Sequence, residues 1–314
     1  MLDNNKKHLS INICNELKAL AIFLVLVGHF FRKADALHGL HSVGFFGAAL
    51  FAFLSGYGTT ISYLNKGIPD IKLWLIKKFY RIYLPMVFVN TIQYFVYGGQ
   101  GGWFLNIFWI NNDGVLWYIP YVMVFNVLFG LLFYKTDNQV RSFLAMTVIG
   151  VVWFIITQRI GVASQWYTST GALLLGMWFA KSELSLEVNN TMIGVTLVLA
   201  LISIYLSKKF VGILLIKDLT TLLSGIFFCW FIEAIGRAIE EKTDIFSKRN
   251  YLSLIGRNSL WIYITHMLVL EYFTNTTPIF FLFFVLSALA VAIAFSSVYG
   301  LFERGLVKIL GKKV

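Results

Sequence analysis

Apolar stretches of about twenty residues recur along this 314-residue chain, each closed by charge, glycine, proline or asparagine. That is the length an α-helix needs to cross a hydrocarbon layer. Few folds are open to such a chain, because in lipid every backbone N–H and C=O must find its partner within the protein. Hydrophobic residues make up 58% of the sequence and charged residues 13%, with 30 Phe, 15 Tyr and 9 Trp, a balance that excludes an ordinary soluble domain. The expectation is an all-α, polytopic transmembrane helix bundle. Its spans are read at 12–31, 44–64, 82–98, 115–134, 140–158, 165–180, 191–207, 213–235, 252–273 and 278–302, about ten helices in all. Between the third and fourth, Gly98-Gly99-Gln100-Gly101-Gly102 introduces Trp103 to Ile110, apolar but too short to cross, which predicts an interfacial or re-entrant segment.

Basic residues concentrate on the cytoplasmic side of a membrane protein. With the N-terminus inside, Arg32, Lys33, Arg159, Lys208, Lys209 and Lys217 fall on the outer side, and the rest of the 26 Lys and Arg fall on the inner side. Both termini are therefore expected in the cytoplasm, and the net charge of +11 is a topology signal rather than a nucleic-acid footprint. The start of the chain also has the outline of a cleaved signal peptide, from Lys6 and Lys7 to the small residues Ala34-Asp35-Ala36. Arg32 and Lys33 directly after the apolar core, and the spanning length of Ile11 to Phe31, favour a retained helix. The longest polar stretch, Arg237 to Asn250, is too short to bury a core, so residues 1–314 are read as a single membrane-embedded domain with no appended soluble domain. Cys14 and Cys229 have no CxxC or Cys/His spacing around them, and neither a disulfide framework nor a metal site is expected.

The chemistry begins in the first span. His29 lies eleven residues after Lys18, which at about 100° per residue puts both within about 20° of one helix face, roughly 16 Å apart along the axis. An imidazole in a membrane span is costly and by default a functional candidate. The structural alternative is that Lys18 and His29 anchor opposite ends of the helix at the two interfaces. At the cytoplasmic entry to the third span, Lys78 and Arg81 are i and i+3, spaced to present two donors to a phosphate or diphosphate. The same cluster is also what topology alone would place there. In the second span Gly44, Ala48, Ala52, Gly56 and Thr60 recur every four residues, a small-residue stripe suited to close helix packing. Ser55, beside that stripe, has no neighbouring base to make it a nucleophile and is assigned a structural or site-lining role.

Taken in order, several segments resemble the acyltransferase-3 family of integral membrane acyltransferases. They are Glu16-Leu17-Lys18-Ala19-Leu20-Ala21 through Gly28-His29-Phe30, Phe51 to Tyr57, Lys78 to Pro85, Leu116-Trp117-Tyr118, Gly256 to His266 and Phe302-Glu303-Arg304. The resemblance runs from Asn15 to Arg304. It implies transfer of an acyl group, commonly acetyl from cytoplasmic acetyl-CoA, to a hydroxyl of a cell-surface glycan, a polysaccharide precursor or a lipid-linked glycan. The family's histidine falls on His29, as the catalytic base. Its arginine falls on Lys18 and its basic pair on Lys78 and Arg81, as the acyl-CoA-binding residues. Where Lys replaces Arg the charge is kept and the bidentate fork is lost. Many relatives carry a Trp-Ser-Leu-x-x-Glu segment where this chain reads Trp117-Tyr118-Ile119-Pro120-Tyr121, so the group that orients His29 is left open.

A neutral imidazole suits the removal of a hydroxyl proton during transfer from a thioester. Asp113, Trp117, Tyr118, Tyr263 and His266 join Ser55 as site-lining candidates; Asp113 reads either as a solvated loop carboxylate or as the group that would orient His29, and His266 either as a hydrogen-bonded packing residue or as part of the site. A direct transfer is expected, with an acyl-histidine on His29 as the other route. The expected setting is a multi-pass protein of the bacterial plasma (inner) membrane, in contact with lipid and with no nucleic-acid partner. Two other readings stay open on the sequence. One is a transporter, flippase or glycan-assembly protein whose His and basic residues line a substrate path, with no acyl donor. The other is a noncatalytic member of a larger complex.

Overall fold

The computed structural model describes residues 9–33, 38–96, 116–182, 190–242, 251–273 and 277–310. The re-entrant segment expected at 103–110, Ala34-Asp35-Ala36 and Asp113 lie outside them. Among the described residues the chain is all helical. Helix α1 is Ile11–Phe31, and a 3-10 turn, His38–Ser42, leads into α2, Val43–Lys66. Next come α3 (Ile71–Lys78), a π-helical turn (Phe79–Tyr83) and α4 (Leu84–Val96). The middle of the chain forms α5 (Tyr118–Phe133), α6 (Gln139–Arg159), α7 (Gln165–Thr168) and α8 (Thr170–Lys181). The last part forms α9 (Asn190–Lys209), α10 (Leu214–Lys242), α11 (Tyr251–Arg257), α12 (Ser259–Leu270) and α13 (Pro278–Leu310).

Helix occupies every stretch read as a span, and six helices are long and apolar enough to cross a membrane: α1, α2 with part of its leading turn, α6, α9, α10 and α13. The others are shorter or broken, for local reasons. The third expected span starts earlier, at Ile71, because the Asp70 side chain caps Leu73 N–H at 3.0 Å and starts the helix ahead of the apolar run. That helix then passes through a π turn just before Pro85, whose missing N–H leaves the Arg81 carbonyl without its usual partner. The sixth stretch breaks at Ser169 and the ninth at Asn258.

Burial is inverted relative to a soluble protein. Val148, Val151, Val152 and Ile155 of α6, Leu201 and Ile202 of α9, and Leu282, Phe283 and Leu286 of α13 all face outward. Asn15, Asn90, Asn126, Thr265 and His266 are inside. Apolar residues outside and polar ones within are what a lipid surround selects. This is a membrane protein.

Packing inside the bundle depends on glycine. A Cβ on Gly28 would stand 2.6 Å from the Gly44 Cα, so α1 and α2 cross with their backbones in contact. The small-residue stripe of α2 is shared between two neighbours. A four-residue step advances about 40° beyond a full turn, so Gly56 lies about 120° round from Gly44. Gly44 meets α1, whereas Gly56 faces the Leu173 carbonyl of α8 and Gly176 of α8 faces the Phe53 carbonyl in return. Gly256 of α11 similarly abuts the Asn15 carbonyl of α1. Overpacking at such contacts costs about 1–3 kcal/mol. Gly176→Ala should therefore lower the melting temperature of the purified protein, while Gly58→Ala, which faces open space, should leave it unchanged or slightly raised; equal melting temperatures for the two variants would refute this packing.

Candidate active site

The close packing of α1 sets the position of His29 in its last turn. Lys33 Nζ donates to the Leu270 carbonyl at 3.1 Å, tying the end of α1 to the end of α12. Carbonyls at a helix C-terminus lack intrahelical partners, so this one is available. The tie brings His29 against His266, which is completely buried. His29 Nδ1 and His266 Nε2 lie 2.7 Å apart. The rings are nearly coplanar, at 14°, with centroids 4.9 Å apart. A nitrogen separation so much shorter than the centroid separation means that they meet edge to edge, as a hydrogen bond requires, rather than face to face.

The direction of that bond follows from the next one. His266 Nδ1 lies 2.6 Å from the Tyr263 carbonyl oxygen, which can only accept. His266 therefore carries its proton on Nδ1, and its Nε2 presents a lone pair. His29 must donate from Nδ1, which leaves the lone pair on its own Nε2. A buried histidine thus fixes the tautomer of a second one and makes its remaining nitrogen a proton acceptor. The Trp117-Tyr118-Ile119 segment brings no carboxylate to this pair, and His266 is what holds the His29 imidazole among the described residues.

His29 lines a cavity of about 570 Å³ at the end of the bundle where α1 finishes and α2, α5 and α10 begin. Trp117, Tyr118 and Tyr263 line it too, together with Arg32, His41, Lys217 and Asp218. Because Arg32 is exposed, the cavity reaches the protein surface. Of the site-lining candidates, Trp117, Tyr118 and Tyr263 are therefore brought to His29, and His266 stands behind it. The Tyr263 hydroxyl accepts from the Tyr118 N–H at 3.3 Å, tying α12 to the start of α5.

Ser55 takes a different place. Its hydroxyl and that of Tyr118 are 2.7 Å apart, and Ser55 lines a second, much smaller cavity that extends between α2 and α5 to Thr59 and Asn126. Thr59 accepts from Lys78 Nζ at 3.0 Å and donates to Asn126 Oδ1 at 3.2 Å. A line of polar groups thus runs from Tyr263 through Tyr118, Ser55 and Thr59 to Lys78. The two basic residues that the spacing put together differ in setting. Lys78 turns inward beside the Trp74 ring, 5.1 Å from its centroid, while Arg81, within the π turn, is exposed. Lys18 is half-buried near the start of α1, with Asn15 Oδ1 3.5 Å from its Nζ, and does not reach the His29 cavity.

Asp218 was missed in the sequence although its signal was present: it is a carboxylate inside the eighth apolar stretch, a setting that marks function by default. Standing next to Lys217, it reads as the charged edge of a span. Among the described residues no group of three or more His, Cys, Asp or Glu is placed to hold a metal ion.

A family model described as an acyltransferase domain, that of acyltransferase-3, matches residues 15–301. The chain belongs to the acyltransferase-3 family. No curated protein and no solved structure matches it. Membership makes the chain a membrane acyltransferase, and the histidine pair is then the feature of this acyltransferase most suited to moving a proton. In ¹⁵N spectra of the histidine-labelled acyltransferase, His29 should show the Nδ1–H tautomer. His266→Leu should return it to the Nε2–H form common in free imidazole; an Nε2–H signal for His29 in the unaltered protein would overturn the assigned direction of the bond.

Proposed function

We propose that this acyltransferase takes an acyl group, acetyl first among them, from cytoplasmic acyl-CoA and transfers it to a hydroxyl of a glycan or lipid-linked glycan at the outer face of a bacterial plasma membrane. The observation that carries the reading is the His29–His266–Tyr263 relay on the wall of the 570 Å³ cavity. The cavity end holds the few basic residues assigned to the outer side, Arg32, Lys33, Arg159, Lys208, Lys209 and Lys217, which supports an outward opening and cytoplasmic termini. The opposite end carries Lys78 and Arg81, suited to the phosphates of CoA. The polar line from Lys78 through Thr59 and Ser55 to Tyr118 supports a path for the donor's acyl-bearing arm between the two ends.

In the transfer step the acceptor O–H gives its proton to His29 Nε2 while its oxygen attacks the thioester carbonyl. A C–O bond forms, the C–S bond breaks, and the departing thiolate takes the proton back from His29. His266 keeps the imidazole in the required tautomer throughout and touches neither substrate. Direct transfer needs no covalent enzyme intermediate, which fits a site whose proton acceptor is His29 rather than a hydroxyl nucleophile.

Reconstituted protein supplied with radiolabelled acetyl-CoA and a glycan extract from the cell surface should incorporate label. His29→Ala should lower kcat by about 10²–10⁴-fold, the usual contribution of a general base. Wild-type turnover in His29→Ala would remove the base assignment. On the donor side, Lys78→Ala and Arg81→Ala should raise the KM for acetyl-CoA with a smaller effect on kcat, and an unchanged KM in both would leave their charge to topology alone. A protein that binds and moves glycan without consuming acetyl-CoA would instead be a transporter.

A further inference from the structure

Asp218, in the first turns of α10, is 1% exposed and lines the same cavity as His29. Its Oδ2 accepts two hydrogen bonds, from the Tyr167 hydroxyl at 2.9 Å and from Gln158 Nε2 at 3.2 Å. Its Oδ1 is buried with no partner among the described residues. Both donors are neutral, and they hold one oxygen from α6 and α7 while the other is left unused. A buried carboxylate oxygen without a donor costs free energy, and native proteins rarely keep one without a reason. The side chain is held in place with an acceptor in reserve.

The chemistry of the missing donor is set by the rest of the wall. Arg32 and Lys217 already place two cations around the cavity, so a further cationic group entering from solution would be repelled. A neutral hydroxyl would not, and O–H to carboxylate is among the strong hydrogen bonds. Trp117, Tyr118, Phe45 and Phe51 add apolar ring faces to the lining, suited to the C–H face of a saturated ring. A molecule that offers several hydroxyls on such a ring can donate one to Asp218 and deliver another to His29.

We infer that Asp218 is the acceptor-recognition residue of this site: its Oδ1 accepts a hydrogen bond from a non-reacting hydroxyl of a neutral, sugar-like polyol and so places a second hydroxyl at His29. This rests on the acyl-transfer reading above, but its first test does not need turnover. Asp218 selects the acceptor and takes no proton in the reaction. Tyr167 and Gln158 orient the carboxylate so that Oδ1 faces the ligand with its acceptor.

The test uses the full chain in lipid nanodiscs and a set of methyl hexopyranosides, with cyclohexanol and cyclohexylammonium as probes carrying one hydroxyl and one cation on a ring. Binding is read by tryptophan fluorescence and by the shift in melting temperature. At least one methyl hexoside should bind saturably, about tenfold or more tighter than cyclohexanol, and Asp218→Asn should weaken it about tenfold. Equal binding of cyclohexanol, tighter binding of cyclohexylammonium, or no saturable hexoside binding would each overturn the inference. If Asp218→Asn lowers the melting temperature and leaves hexoside affinity unchanged, Asp218 is only a clamp between α6, α7 and α10, and the inference fails. The comparison among ligands on the unaltered chain decides the matter even where that variant does not fold. A second measurement follows CoA release from acetyl-CoA: Asp218→Asn should raise the KM for the hexoside and leave the KM for acetyl-CoA unchanged. Hexoside binding without any CoA release would defeat the acyl-transfer reading and leave the polyol site standing.

Discussion

Backbone contact between helices at glycine governs the rest of this protein. In a bilayer the hydrophobic effect does little to drive helices together, because lipid tails are as apolar as leucine, and association depends on how closely the helices can approach. Gly28 and Gly44 join α1 to α2, Gly256 joins α11 to α1, and Gly56 with Gly176 joins α2 to α8. Helix α1 is thereby pressed between α2 on one side and the α11–α12 pair on the other. His29 and His266, 237 residues apart in sequence, meet because those approaches leave α1 no freedom to shift.

The histidine pair also shows how a polar network can exist inside an apolar bundle. Among the described residues, each group that gives a proton has an acceptor in line, ending at a helix carbonyl, and the network is satisfied along its length except at His29 Nε2. That one unfilled position lies on a cavity wall, where a substrate can fill it. Asp218, in the lining of the same cavity, follows the same design, satisfied at one oxygen and without a donor at the other among the described residues. Satisfied networks hold groups rigidly, and the two open positions are therefore fixed relative to each other before any ligand arrives.

Much of this was legible in the sequence. Each expected span is helical where it is described, with the short α3 lying ahead of the third, because crossing a hydrocarbon layer imposes a length that soluble folds do not; six of the helices meet that length. His29 stood out as an imidazole in an apolar run, and Tyr118, Tyr263 and His266 entered through family resemblance. What the sequence hid was tertiary. The tautomer of His29 depends on a carbonyl that no local pattern reveals, and the different settings of Lys78 and Arg81 depend on the packing around a π turn. The small-residue stripe of α2 looked like one interface and became two, since a four-residue repeat drifts round a helix of 3.6 residues per turn. Asp218 was visible as a letter, but its partners Tyr167 and Gln158 lie about fifty and sixty positions away.

The hydrogen bond between Tyr118 and Ser55 separates the large cavity from the small one. Once the large cavity fills with electrolyte, the potential of the bulk solution extends inward along it, and the voltage across the membrane falls mainly over the protein that remains. That remaining protein begins with Tyr118, Ser55 and Tyr263 and the buried aromatic rings around them. None of these three side chains carries a fixed charge, so this part of the bundle insulates. A cavity open on one side thus concentrates the membrane field on the groups that form its floor.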